Sequence, residues 1–523
     1  MTADSKNSID APQVRSAEVA LLASVFVVAA CGLVYELAAG TLASYLLGDS
    51  ILQFSTVIGT YLFAMGVGSY LSRFFERQLI AHFLRIELLV GLAGGLMPAI
   101  LFALQSLASP SFRFALYAMV LLVGILVGLE IPLVMRILKR QFRGSPDERH
   151  GLKNLVSQVL TFDYLGALAV SIAFPLLLVP QLGLIRTGAF FGLLNAAVAV
   201  WALWLFRGEL RRFASHAIAC AVTITLLVAA FAAADHVTTW AEDRFYADHV
   251  LFSESSKYQR VVVTASSQGV RLFLNGNLQF HSRDEYRYHE ALVHPAMSAQ
   301  GAPKNVLILG GGDGMAAREI LKYPSVEHVT LVELDPRMTQ LFSTQPLLRR
   351  LNRDSLLSPK LKVVNADAFA WLEANVGSYD VIVIDFPDPT NFSIGKLYTS
   401  SFYRLVDQHL AASGYAVVQT TSPLIARKSF WTVATTIEAA GLTTTPYHAH
   451  VPSFGEWGFI LASRRPFRMP TTLPEGLRFL SPADLPLLFD FPLDMARVPA
   501  EVNRLSNQVL VQTFDEEWGK VHQ

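Results

Sequence analysis

Hydrophobic positions fall along this chain in two regimes that change near residue 235. Before that point, long apolar runs recur at about 19–42, 51–72, 84–106, 114–136, 158–180, 185–206 and 214–234. Each is close to the roughly 20 apolar residues a helix needs to cross a bilayer core. Several carry no charge over most of their length, so the pattern predicts a multi-pass domain of seven helices over residues 1–235. Small residues recur in these runs, among them Gly66, Gly68, Gly91, Gly94 and Gly95, and they let helices approach closely.

Beyond residue 240 the apolar stretches shorten to strand length. Val261-Val262-Val263-Thr264 and Val270 to Leu274 flank a Ser-Ser-Gln-Gly turn, and Asn275-Gly276 is a hairpin signal before Leu278 and Phe280. This predicts a small β subdomain over 240–300. Strands at Val306–Leu309, Val329–Val332, Leu361–Val364, Val381–Ile384 and Tyr415–Val418 then alternate with helical stretches. Such alternation predicts a parallel, doubly wound sheet over 301–467, whose ligands sit beyond the carboxyl ends of its strands. The Pro- and Leu-rich segment 468–523 is read as a packing extension.

Composition supports the division. Charged residues make up 16% and the mean hydropathy is +0.39, too apolar for a wholly soluble chain. Lys+Arg and Asp+Glu both number 42, so no charge excess points to nucleic acid. Cys31 and Cys220 lie in apolar runs and offer neither a disulfide framework nor metal-ligand spacing. Four acids stand out in the apolar half. Glu36, Glu130 and Asp163 are expected to face a bundle interior, as a structural pair or a cation path, whereas Glu87 is expected to snorkel or pair locally near a span end. Basic residues concentrate after the second, fourth and sixth runs (Arg73, Arg77 and Arg85; Arg136, Lys139 and Arg140; Arg207, Arg211 and Arg212). The positive-inside rule then puts those loops and the N-terminus in the cytoplasm and, with seven spans, the C-terminal half outside; one re-entrant run, or one run that is two, would keep it inside.

The candidate chemistry begins at Gly310-Gly311-Gly312-Asp313-Gly314, a glycine-rich turn between an apolar strand and a helical stretch. Glycines let backbone pass close to a ligand. Glu333 follows about 20 residues later, where a nucleotide-binding βαβ unit places its ribose-binding acid. Asp313 is wrong for a pyrophosphate but suits a nucleoside that carries positive charge, such as a sulfonium or an ammonium. Asp367 and Asp385 lie at later strand ends, so four acids stand in register. Asp388 follows Asp385 across two residues in Asp385-Phe386-Pro387-Asp388-Pro389, read as a catalytic mouth. The run Arg283 to Glu290 with His294-Pro295 reads equally as part of the site or as a charged, solvated helix start.

Together these residues resemble the polyamine aminopropyltransferases, the spermidine and spermine synthase family, over about Tyr258 to Phe459. The resemblance rests on Tyr258-Gln259, Asp284-Glu285, Tyr288-His289-Glu290, His294-Pro295-Ala296, the Gly310–Gly314 loop, Glu333, Asp367, Asp385 with Asp388-Pro389, Leu397-Tyr398 and Phe402-Tyr403. With its apolar N-terminal half the chain looks like the membrane-attached bacterial branch. The resemblance implies a Rossmann-like, methyltransferase-type fold and transfer of an aminopropyl group from decarboxylated S-adenosylmethionine to a diamine such as putrescine, giving spermidine and methylthioadenosine. That donor is a co-substrate, and no permanently bound cofactor or metal is implied. Gln259, His289, Gly310, Gly312, Asp313, Glu333 and Asp367 would hold the donor, Glu333 at the ribose and Asp367 at the adenine amino group. Asp385 would act as base, aided by Tyr288, and Asp388, Tyr288 and Gln419 would bind the diamine. A homodimer, a lipid bilayer and a multi-pass place in the cell membrane are implied, with the catalytic half in the cytoplasm where its substrates are.

Two departures touch the acceptor side. Val451, in Val451-Pro452-Ser453, stands where the family carries a Tyr, and Phe386-Pro387 replaces small residues between the paired acids; Glu456 and His448 are candidates to compensate. Two alternatives stay open. A methyltransferase using S-adenosylmethionine would need room for a donor carboxylate that Asp313 and Asp385 repel. A polyamine transporter or sensor with a nucleoside-binding module would draw on Glu36, Glu130 and Asp163.

Overall fold

A computed structural model describes residues 11–47, 50–107, 109–141, 148–246 and 248–520, and the chain divides into two compact units at Val250/Leu251. The first unit is helical: α1 (Ala11–Leu47), α2 (Ser50–Leu71), α3 (Leu79–Leu107), α4 (Ser109–Gln141), α5 (Glu148–Ala173), α6 (Val179–Leu205) and α7 (Phe213–Tyr246). Six stretches among the described residues are long and apolar enough to cross a membrane. The expected runs 158–180 and 185–206 form one of them, Val156–Leu205, because a π-helical turn at Phe174–Leu178 carries the chain on until Gly183 bends it (φ 72°). Small residues act as expected at the close approaches. A Cβ on Gly68 would lie 2.1 Å from the Ile125 carbonyl oxygen, and one on Gly128 2.2 Å from that of Met65, so α2 and α4 touch backbone to backbone. Large apolar side chains also face outward, including Leu62, Phe63, Phe114, Tyr164 and Ile218. The expectation for Glu87 fails. It neither snorkels nor pairs: it is fully buried, and neither carboxylate oxygen has a hydrogen-bond partner.

A four-stranded sheet begins at the division, in the order β1 (His249–Ser255), β2 (Arg260–Ser266), β3 (Gly269–Leu274) and β4 (Asn277–His281), with β2 antiparallel to β3 and β3 to β4. Asn275 and Gly276 have φ of 50° and 83°, the paired positive values of a tight two-residue hairpin. After α8 (Glu285–Gln300), strands and helices alternate: β5 (Asn305–Gly310), α9 (Met315–Ile320), β6 (His328–Glu333), α10 (Pro336–Thr344), α11 (Pro346–Asn352), β7 (Leu361–Asn365), α12 (Ala368–Ala374), β8 (Tyr379–Asp385), α13 (Phe392–Gly395), α14 (Ser400–His409), β9 (Leu410–Thr420) and α15 (Arg427–Ala439). The second unit closes with β10 (Thr443–Val451), β11 (Gly455–Ser463) and α16 (Val509–Gly519). The larger sheet runs β10-β11-β9-β8-β5-β6-β7. Its five expected strands are parallel, but β10 and β11 add an antiparallel hairpin at one edge, so the sheet is mixed. Apolar cores lie on both faces, as double winding requires.

The run Arg283–Glu290 is not a solvated helix start. Asp284, Glu285, His289 and Glu290 are all buried. Asp284 accepts from the Ser453 amide (2.7 Å) and hydroxyl (2.9 Å), tying the β10–β11 turn to α8. Glu290 accepts from three successive amides, Arg478, Phe479 and Leu480, at 2.7, 2.8 and 3.0 Å, which anchors the segment beyond the sheet. Removing that carboxylate leaves three amides without their acceptor, of which the Leu480 amide is buried, so Glu290→Ala should cost about 1–3 kcal/mol. Urea unfolding of the purified protein measures the loss, and early proteolysis within 470–490 would accompany it.

Candidate active site

The site is built where three strands of the sheet end side by side. The register sets Gly310 of β5 opposite Asp385 of β8, and Leu309 opposite Val332, which brings Glu333 of β6 level with Gly310 on the other side. A glycine between two acids is required by the protein itself. A Cβ on Gly310 would stand 2.2 Å from the Asp385 carbonyl oxygen, at a φ of 85° that L side chains avoid. A Cβ on Gly312 would stand 2.7 Å from the Glu333 side chain.

Glu333 lies under the loop and accepts from the Gly312 amide (3.2 Å) and the Asp335 amide (2.9 Å). Burial nevertheless pushes its carboxyl up to about 7. Gln259 reaches this strand end through Asp335, to which it donates at 3.2 Å; Ser256 donates there too (2.7 Å) while Asp335 caps α10. Sequence reasoning passed over Asp335, because an Asp before a Pro reads only as a turn or cap.

Asp313 accepts from the Met315 amide (2.8 Å) at the start of α9, and burial raises its carboxyl. His289 lies within electrostatic reach of both Asp313 and Asp385. Its Nδ1 sits 2.7 Å from Glu285 Oε2, and Glu285 is itself gripped by Arg318 at 3.0 and 2.9 Å. Burial pulls the imidazole down, but the Glu285 contact outweighs it and lifts the ring to about 8.

The Tyr288 hydroxyl donates to Asp385 Oδ1 at 2.6 Å, so this pair is bonded before any ligand arrives. Burial pushes Asp385 up to about 6, with Asp313 adding to the effect and the Tyr288 hydrogen bond opposing it. Three residues on, burial pushes Asp388 up to about 7 with Gln419 beside it opposing the rise, and among the described residues its buried Oδ1 has no hydrogen-bond partner. Gln419 is spent on the protein: Nε2 donates to the Phe386 carbonyl and to Tyr398 Oη (3.2 Å), while Oε1 accepts from Trp457 Nε1 (3.0 Å). It therefore holds the 386–388 turn in place instead of presenting a free amide. Tyr398 adds a bond to the Pro387 carbonyl (3.1 Å). Trp457 and Phe454, with ring centroids 5.1 Å apart, and Phe459 pack around Tyr288 and Gln419. None of these three was singled out in the sequence.

Other expected residues are engaged by partners within the protein. Asp367 sits just past β7 on the same edge, but Oδ1 caps α12 and Oδ2 is 2.6 Å from Lys396 Nζ. It must give up Lys396 before it can accept from another donor. Glu456 and His448 pair with each other (2.5 Å), and His448 also meets the Asp490 carbonyl (2.8 Å), so neither compensates for Val451. Val451 is fully buried in the core, and Phe386 is turned into the other core against Phe402 at 5.8 Å. Asp313, Glu333, Asp385 and Asp388 remain as acids that a bound cation would relieve.

Comparison with known proteins places this arrangement. Residues 285–469 match the Spermine/spermidine synthase domain. A polyamine aminopropyltransferase 2 of Ralstonia nicotianae is 55% identical, covering 95% of this chain and 98% of its own. A polyamine aminopropyltransferase of Leptospira interrogans is 49% identical over 96% and 99%. A crystal structure of spermidine synthase in complex with the transition state analogue AdoDATO is 28% identical, with a TM-score of 0.44 over 46% of this chain and 85% of that one.

Proposed function

The chain belongs to the polyamine aminopropyltransferase family, and from that premise we propose that its acidic cleft joins decarboxylated S-adenosylmethionine to putrescine. Aminopropyl transfer is its activity; the acceptor and the residue roles are the proposal. Asp313 and Asp385 face the positive aminopropyl arm of the donor and Glu333 its ribose hydroxyls. Asp367 takes the adenine amino group once Lys396 withdraws. Asp388, with an oxygen that no protein group satisfies, takes the far ammonium of the diamine.

The reacting amine arrives protonated and must lose a proton to attack. Asp385, oriented by Tyr288, accepts it. The nitrogen lone pair then forms a bond to the aminopropyl carbon next to sulfur, and the carbon–sulfur pair returns to sulfur, leaving neutral methylthioadenosine. Alignment of two bound substrates supplies much of the acceleration. The observation that carries this reading is the 2.6 Å Tyr288–Asp385 bond, beside Asp313 and three residues before Asp388. Incubating the protein with the decarboxylated donor and a panel of diamines, then weighing products by mass, tests it. Spermidine from putrescine is expected; methylated products from S-adenosylmethionine, or no product from putrescine, would defeat it.

Protons report on the same cleft. Glu333, Asp385 and Asp388 hold protons up to about 7, 6 and 7 in the unliganded protein. A cation favours the ionised carboxylate, so donor binding at pH 6.5 should release protons, and the release should fade by pH 8. Calorimetry in buffers of different ionisation enthalpy reads this, and proton uptake at pH 6.5 would contradict it.

We read the first unit as crossing a bilayer. Its apolar stretches reach bilayer length, and many of its outward positions carry large apolar side chains. The substrates are soluble metabolites, so the catalytic unit is proposed on the cytoplasmic side of the cell membrane.

A further inference from the structure

The first unit carries a second set of acids that aminopropyl transfer does not use. Glu87 on α3 and Glu130 on α4 are fully buried, and among the described residues none of their four oxygens has a hydrogen-bond partner. The two helices are consecutive and packed together, and both acids sit about two to three turns from the same end of the pair. They are close enough for their charges to interact.

Other polar groups share this interior. Gly91 and Gly94 continue the face of α3 that Glu87 begins. A Cβ on Gly91 would lie 3.1 Å from the Asn195 Cβ, and one on Gly94 2.6 Å from the Tyr35 ring. Asn195 and Tyr35 are themselves fully buried, and the Asn195 amide atoms and the Tyr35 hydroxyl also have no partner. On the α4 side, Val127, one turn before Glu130, packs against Gly32 of α1. Asp163 is the next acid within reach of Glu130, Cys31 senses both acids, and Tyr61, near Glu36 and Glu130, is bonded to the Gly32 carbonyl. Among the described residues no Lys, Arg or His pairs with either acid.

A lone carboxylate cannot stay ionised in such surroundings; each needs a proton or a cation. The acceptor set suits an ammonium: two carboxyls, an amide oxygen and a phenol oxygen face three N–H donors. Intramembrane acids facing a bundle interior commonly mark a pathway.

We propose that Glu87, Glu130, Asn195 and Tyr35 form an exchange site that trades protons for the ammonium groups of an organic amine, making the first unit a carrier for diamines and polyamines. Each carboxylic acid releases its proton to water as an ammonium takes its place, and the reverse step discharges the amine. The inference rests on the reading of this unit as membrane-spanning.

The test uses the full chain in lipid vesicles, without donor so that no transfer occurs, with labelled putrescine and spermidine outside and a pH dye inside. Label should enter at least tenfold faster than into protein-free vesicles and carry a counterflow of protons. Glu87→Gln and Glu130→Gln should each abolish most of that flux while aminopropyl transfer stays within twofold of normal, which shows that the chain still folds. Flux no faster than in protein-free vesicles, or undiminished in the double variant, overturns the carrier. Protein that fails to float with the vesicles overturns the membrane reading together with it.

Discussion

Asp385→Asn is expected to lower kcat by about 10²–10⁴-fold, the usual contribution of a positioned base. The substitution keeps the shape of the side chain and its place beside Gly310, so the strand ends stay in register. It removes only the capacity to accept a proton. The Tyr288 hydroxyl, now 2.6 Å from Asp385 Oδ1, can still donate to an amide oxygen. Donor affinity should fall far less than kcat, because Asp313 still faces the aminopropyl arm and Glu333 the ribose. Single-turnover kinetics with saturating donor and amine separate the two effects. A variant that turns over normally would show that the proton leaves by another route, and one that loses donor binding as steeply as turnover would make contact with the aminopropyl arm the main role of Asp385.

Asp388→Asn should strike the amine. Losing a buried, charge-assisted partner of an ammonium costs about 2–5 kcal/mol, so the putrescine KM should rise about 30-fold or more while kcat falls far less. The same variant should be more stable than the parent at neutral and higher pH. In the unfolded chain this carboxyl ionises near 3.9, whereas in the empty folded protein burial holds its proton up to about 7. The folded state thus binds more protons between those values, and stability falls as pH rises through that window. Asparagine has no proton to lose and escapes the decline. Melting curves of parent and variant should lie closest at or below pH 4 and be well separated at pH 8. Parent and variant melting alike at pH 8 would mean that Asp388 is not the strained group that binding relieves.

How much of this was legible beforehand differs from element to element. The change from long apolar runs to strand-length ones was readable near residue 235, because bilayer-length runs have few other uses, though α7 runs on to Tyr246 and the compact units part at Val250/Leu251. The five parallel strands were readable because each is a short, mainly β-branched and aliphatic run. The hairpin β10–β11 was not. Its outer strand, Thr443–Val451, mixes Thr, His and a Pro, which only an edge strand tolerates, so no strict alternation marks it. The acids at the strand ends were found by position, yet their partners were not, since Lys396 meets Asp367 and Trp457 meets Gln419 across long stretches of chain. Asp284 and Glu290 sit among residues expected to do chemistry, and their oxygens turn out to satisfy backbone amides. Charge alone does not separate a residue that reacts from one that braces. The apolar half hid Glu87 for a related reason: counting from a span end suggests exposure, but the helix begins at Leu79 and buries that face.

The grip of Glu290 on Arg478, Phe479 and Leu480 has a practical sequel. The family match stops at residue 469, which invites trimming of the tail as dispensable. Such a shortened protein would strand a negative charge in an oily interior and deprive the first turn of α15 of Glu517, which receives its Lys428 and Ser429 amides. It would be expected to come out of cells as insoluble aggregate with every reactive group intact.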